Sequence, residues 1–72
     1  MTDAHAFQLL DTVTLLEDAP GDGLARGQVG TLVEPLGVGV WLVEFSDDAG
    51  RTYAEAALSE RLLMALRFSA AA

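Results

Sequence analysis

Cysteine and lysine are both absent from this 72-residue chain, and its one histidine is His5. Without cysteine the chain has no disulfide, no thiolate metal ligand and no cysteine nucleophile. A chain that needs no disulfide fits a reducing compartment, so we expect a cytoplasmic location.

Basic side chains are scarce as well. Four arginines stand against eleven carboxylates, which gives a net charge of −7. Nucleic-acid binding depends on basic side chains that neutralise phosphates, so we expect no nucleic-acid partner. The same shortage argues against anionic membrane surfaces. No apolar run approaches the roughly 20 residues of a membrane span, and the N-terminus lacks the pattern of a signal peptide.

Hydrophobic residues make up 51% of the chain, enough for one small core. The length allows a single domain. We expect a flexible N-terminal tail over residues 1–8, one domain over residues 9–66 and a flexible C-terminal tail over residues 67–72.

The alternation of apolar and β-branched residues predicts strands in the first half of the chain. Residues 10–17 form the first, with Val13 and Leu15 facing inward. A long loop rich in Pro and Gly follows over residues 18–28, with Leu24 as an apolar anchor. The second strand covers residues 29–34, and Gly30 within it indicates a bulge or a close backbone approach. Residues 35–39 read as a glycine-rich turn.

A hairpin over residues 40–54 contains the only Trp and the only Tyr of the chain. Its first strand should point Trp41, Val43 and Phe45 inward. The turn that follows, residues 47–50, places Gly50 where positive φ is commonest, and its aspartates should accept backbone N–H bonds.

Residues 53–66 allow two interpretations. Their many Ala, Glu and Leu residues would suit one helix, but the apolar positions leave no clean polar face. We favour a strand, one helical turn capped by Ser59, and a last strand. The resulting fold class is all-β: a small five-stranded SH3-like barrel with one short helical turn before the last strand.

Three segments together resemble a family of short bacterial proteins that is classed as a domain of unknown function. The segments are Asp11-x-Val13-x-Leu15, Arg26-Gly27-x-Val29-Gly30-Thr31-x-Val33-Glu34 and Val43-Glu44-Phe45-x-Asp47-x-x-Gly50-Arg51-Thr52-Tyr53. The resemblance covers residues 9–66 and implies the small SH3-like fold. The family has no assigned activity. This chain departs from the family pattern at Gln28 and Trp41.

No combination of residues in the sequence predicts an enzyme or a cofactor site. His5 lies in the expected tail, away from any positioned partner for catalysis or metal binding. Glu44, Asp47 and Asp48 lack the ligand series of a calcium loop. The glycine pairs Gly21-x-Gly23 and Gly37-x-Gly39 are too short for a phosphate-binding loop.

Excess apolar residues predict a non-catalytic module that binds another protein or a second copy of itself. We place the partner surface on the long loop, the glycine turn and adjacent side chains; its candidate residues are Leu24, Arg26, Leu36, Val38, Leu42 and Arg51. For Arg51 we favour a salt bridge to Glu44 across the hairpin over a contact with a partner. An open strand edge would offer a second route to a partner. The acidic charge favours another class, a regulator or inhibitor that masks a basic site in the manner of an antitoxin or immunity protein.

Overall fold

A computed structural model describes residues 6–68 of the chain. It contains five β-strands and two short 3₁₀ helices, Pro20–Asp22 and Glu60–Leu62. The strands are β1 (Thr12–Leu15), β2 (Val29–Gly37), β3 (Val40–Ser46), β4 (Thr52–Ser59) and β5 (Leu63–Ala65). The all-β prediction is therefore confirmed, including the helical turn before the last strand and its cap, because the Ser59 hydroxyl accepts a hydrogen bond from the Arg61 N–H.

All strand neighbours are antiparallel, in the order β4-β3-β2-β1-β5. The sheet is open, with β4 and β5 at its two edges. Its alternating side chains divide into an inner face that carries the core and an outer face that carries both charged and apolar residues, among them Glu44, Glu55, Leu42 and Ala57.

β1 begins two residues later than predicted because the chain turns just before it, and it ends at Leu15, two residues earlier than predicted. The Asp11 N–H donates to the Gln8 carbonyl, and Asp11 Oδ2 accepts from the Gln8 N–H, both at 3.0 Å. Leu10 takes a left-handed conformation in this turn, with φ of 72°. Such a conformation costs a leucine about 1–2 kcal/mol, so the surrounding hydrogen bonds hold the backbone there.

β2 is longer than predicted and includes most of the expected glycine turn. The hairpin closes only at Val38 and Gly39. The ladder between β2 and β3 shifts register twice, between Leu32 and Glu34 and between Pro35 and Gly37. Such irregularities are where a strand tolerates proline, which has no N–H to donate. Sequence patterns alone indicate that Pro35 ends the strand, so the predicted strand stops at residue 34, before the observed end of β2.

The core lies on the inner face and is entirely apolar. Its members are Val13, Leu15, Leu24, Leu32, Val43, Phe45, Ala56, Leu58 and Leu63. The predicted inward positions of β1 are confirmed, as are Val43 and Phe45 of β3. Trp41 packs against the core but is only half-buried, and its indole N–H donates to Glu60 Oε2 at 2.7 Å.

Phe7 also packs against the core, although we assigned it to the N-terminal tail. The packed part of the chain therefore begins before residue 9. Our predictions for His5, for the rest of the first five residues and for residues 69–72 lie outside the described residues.

Gly30 brings β2 into very close contact with β3. A Cβ atom added at Gly30 would lie 2.7 Å from Val43 Cγ1, 3.0 Å from the Glu44 carbonyl oxygen and 3.0 Å from Phe45 Cδ2. These distances are shorter than van der Waals contact, so only glycine fits without movement of β3. The predicted close backbone approach is confirmed, while the bulges lie further along β2.

We expect Gly30→Ala to destabilise the domain by about 1–3 kcal/mol, the usual cost of overpacking a core. Urea denaturation followed by the fluorescence of Trp41 measures this loss. In the double variant with Val43→Ala, the loss should be smaller than the sum of the two single losses, because the tightest contact is removed. Strict additivity would show that the contact with Val43 is not the cause.

The bond from Trp41 to Glu60 should fasten the 3₁₀ turn to β3. Glu60→Ala removes the acceptor and is expected to cost about 1–2 kcal/mol. Glu60→Gln keeps an acceptor oxygen and serves as the control, with a smaller loss. Trp41 emission should shift to longer wavelength in the alanine variant only. An equal loss for both variants would contradict this role.

Candidate interaction surface

The six predicted surface residues do not all reach solvent. Leu24 is only 4% exposed and belongs to the core, so its place in the predicted surface is wrong while its role as an anchor is confirmed. Leu42 is half-buried. The other four, Arg26, Leu36, Val38 and Arg51, are exposed.

The long loop and the glycine turn, which we predicted to form one surface, lie at opposite ends of β2. The loop over residues 18–28 leads into its first residue, Val29, whereas Leu36 and Val38 lie at its far end, where it turns into β3. Arg51 lies at the end of β3 that is near the loop, because Gly30 pairs with Phe45. The fold therefore separates the predicted surface into two regions.

The long loop is a packed element held by its own hydrogen bonds. Ala19 and Leu24 form an isolated β-bridge. Asp18 Oδ1 accepts from the Arg26 N–H at 2.9 Å, and Gln28 Oε1 accepts from the Ala25 N–H. These bonds satisfy the backbone within the loop and leave the Arg26 side chain at the surface.

Arg51 pairs with Asp47 and not with Glu44, so the predicted cross-hairpin salt bridge is wrong. Arg51 Nε lies 3.5 Å from Asp47 Oδ2, and the arginine side chain is 83% exposed. The register explains the difference, because Glu44 stands opposite Glu55, whereas Arg51 lies just outside β4, in the turn.

The outer face of the central strands carries facing carboxylates. Glu44 of β3 has Glu55 of β4 directly opposite on one side and Thr31 of β2 on the other. Glu34 lies on the same face, opposite Leu42. Like charges directly opposite in a sheet are destabilising. The outer face thus holds negative charge that neither strand neighbour of Glu44 compensates.

Among the residues that the structure describes, no strand pairs with the outer edge of β4, and this free edge exposes backbone hydrogen-bonding groups. The Glu60 N–H donates to the Gly39 carbonyl at 2.9 Å, in the register that continues the β3–β4 ladder. Hydrogen-bonded pairs alternate with non-bonded pairs in an antiparallel ladder. By this alternation Ala56 and Leu58 bond to β3, and Glu55 and Ala57 point their N–H and C=O groups outward.

An apolar groove of about 430 Å³ lies at the other edge of the sheet. Its lining residues are Phe7, Leu63, Met64, Ala65 and Arg67. Leu9, Leu10 and Phe68 are exposed apolar side chains of the segments that flank β1 and β5. Sequence reasoning missed this region because it assigned both segments to tails or strand ends. The run Phe7-x-Leu9-Leu10 was the available signal.

The acidic turn between β3 and β4 is a backbone cap. Asp47 Oδ1 accepts hydrogen bonds from the N–H groups of Ala49 and Arg51, both at 2.9 Å. Gly50 completes the turn with a φ of 82°. Within residues 6–68 no group of three or more His, Asp or Glu side chains could hold a metal ion. The turn chemistry predicted for the aspartates is confirmed for Asp47.

The chain belongs to the DUF4926 family, described as a domain of unknown function, whose model matches residues 9–65. This match confirms the family resemblance. Comparisons with curated proteins and with solved structures give no match. No helix in the part of the chain that the structure describes is long and apolar enough to cross a membrane.

Two substitutions of Asp47 distinguish the contribution of its hydrogen bonds from the contribution of its charge. Asp47→Ala removes the acceptor for two N–H groups and should cost about 1 kcal/mol of unfolding free energy. Asp47→Asn keeps the Oδ1 acceptor and loses only the exposed ion pair with Arg51, so it should stay within about 0.5 kcal/mol of the parent. Urea denaturation of both variants tests this. A large loss in Asp47→Asn would mean that the ion pair stabilises the turn.

Proposed function

We propose that this member of the DUF4926 family is a non-catalytic protein-binding module whose partner attaches to the free edge of β4. The single observation that supports this proposal is an edge strand of eight residues whose one strand neighbour within residues 6–68 is β3. An unpaired row of N–H and C=O groups is a template for an added strand.

Several features of β4 suit it to accept an added strand. β5 has three residues, too few for a long ladder. β4 contains no proline and no lysine, two residues that commonly protect natural edges from pairing. Its outward-pointing position Ala57 is small and exposed, so no bulky side chain obstructs an incoming strand.

We also propose an SH3-like arrangement in a bacterial cytoplasmic protein. The strand order with β5 beside β1, together with the 3₁₀ turn Glu60–Leu62 before the last strand, supports the fold. The absence of cysteine supports the compartment. The non-catalytic role rests on a sequence with one histidine and no cysteine, so it lacks a thiol nucleophile and has little of the residue that most often acts as a general base.

A second candidate function is an acidic regulator or inhibitor that covers a basic site on another protein. The observation that favours it is the gathering of Glu34, Glu44 and Glu55 on one face of a chain with net charge −7. Association driven by such charges weakens as salt screens them, over a distance of about 8 Å at physiological ionic strength. Binding that is independent of ionic strength would contradict this candidate.

A capture experiment in the native host tests the proposed function. The full chain, Ala57→Pro and Ala57→Thr are used as baits, and bound proteins are identified by mass spectrometry. Proline at residue 57 removes an N–H that points away from β3 and leaves the hydrogen bonds to β3 in place. Edge strands tolerate proline at such positions. We expect a partner that the parent and Ala57→Thr retain and that Ala57→Pro loses at least tenfold.

The matched threonine variant controls for the change of side chain at this position. Trp41 fluorescence and urea denaturation must show that both variants fold. If every captured protein binds the two variants equally, the partner does not use the β4 edge and the proposal falls.

A further inference from the structure

We infer that the strand accepted by the β4 edge carries a lysine or arginine opposite Glu55, with an apolar side chain two positions away opposite Ala57. This inference rests on the proposed function and names the chemistry of the partner at the same edge. The partner is thus an extended basic segment of another protein.

The geometry of an added strand fixes where its side chains lie. A strand added beside β4 lies about 4.8 Å from it. The residue directly opposite Glu55 would have its Cβ within about 5.5 Å of the Glu55 Cβ, on the outer face of the sheet. That position continues the row formed by Thr31, Glu44 and Glu55 across three strands.

The charge at this row selects a basic residue. Glu44 and Glu55 oppose each other directly, and the strand neighbour of Glu44 on its far side is Thr31. A cation opposite Glu55 would lie next to an exposed carboxylate. It would reduce the repulsion between Glu55 and Glu44. A guanidinium can also bond a carboxylate through two parallel hydrogen bonds. An acidic side chain at the same place would add a third negative charge to the row.

The next outward position selects an apolar residue. Ala57 stands two residues along β4, on the same face as Glu55, with Leu42 as its neighbour on β3. The small alanine side chain leaves room for a larger one on an added strand. A partner side chain opposite Ala57 would contact alanine and lie near Leu42, so burial of apolar surface favours it. The expected motif therefore has a basic and an apolar residue separated by one position.

A second copy of the chain fits this edge less well. A symmetric antiparallel pair centred on Glu55 would place the two Glu55 carboxylates opposite each other. A pair centred on Ala56 would place Glu55 opposite Ala57 of the second copy and leave the repulsion with Glu44 uncompensated. Each copy also carries a net charge of −7. The charge that disfavours self-pairing favours a basic strand.

A library of random nonapeptides displayed on phage tests the inference, with the full chain and four variants as targets. We expect peptides selected on the parent chain to carry the basic and apolar pair at this spacing. Synthetic versions of them should bind Glu55→Lys at least tenfold more weakly than the parent. Selection on Glu55→Lys should instead yield acidic peptides. Ala57→Pro should lose at least tenfold in affinity, whereas Ala57→Thr should stay within about threefold.

Three outcomes would overturn the inference. The first is that no peptide is enriched, or that enriched peptides lack a basic residue. The second is that Glu55→Lys and Glu55→Gln both bind the selected peptides as the parent does. The third is a stable dimer in analytical ultracentrifugation that Ala57→Pro abolishes, which would assign the edge to a second copy. A captured partner that depends on Ala57 but docks a segment without the basic residue would preserve the proposed function and refute this inference alone.

Discussion

The close approach of β2 and β3 at Gly30 sets the arrangement of the other strands. Val43 and Phe45 occupy the space that a side chain at this position would need. The contact holds the two strands in a register where every buried residue of β3 faces the core. A shift by one residue would turn Val43 and Phe45 to solvent and bring Glu44 into the core. Such a shift is strongly disfavoured, because a buried, unpaired carboxylate costs far more than an exposed one.

That register has consequences on the outer face. It places Glu44 beside Thr31 and opposite Glu55, so negative charge accumulates where the sheet is exposed. It also determines which backbone groups of β4 bond to β3 and which face the edge. The inner face, the facing carboxylates of Glu44 and Glu55 and the free edge of β4 thus all follow from one strand pairing. A shift of register that altered the groups at the edge would also disrupt the core.

An open sheet leaves this small domain with more unsatisfied surface than a closed barrel would have. β5 is short and lies next to the groove with Phe7, whereas β4 runs for eight residues at the other edge. Edge strands in natural proteins are commonly protected by charge. Glu55 is the one charged residue of β4. Its charge disfavours self-pairing, and under the proposed function it would favour a partner strand of opposite charge.

Local patterns in the sequence determined the presence of the strands, the Asp47 turn and most inward residues of β1 and β3. Alternation identified Val13, Leu15, Val43 and Phe45 as inward residues, because a strand side chain can point only to one face or the other. The Asp47 to Gly50 turn was equally predictable, because all of its stabilising hydrogen bonds join residues within a five-residue segment.

Only the tertiary structure decided how distant segments meet. It separated the long loop from Leu36 and Val38, paired Arg51 with Asp47, and drew Phe7 to the core. These outcomes depend on the strand order and on bulges in β2, which sequence periodicity does not encode. The sequence by itself thus determined which residues are apolar, charged or able to turn. The pairing of strands determined which of them became neighbours, because side chains on different strands come together only through the backbone register.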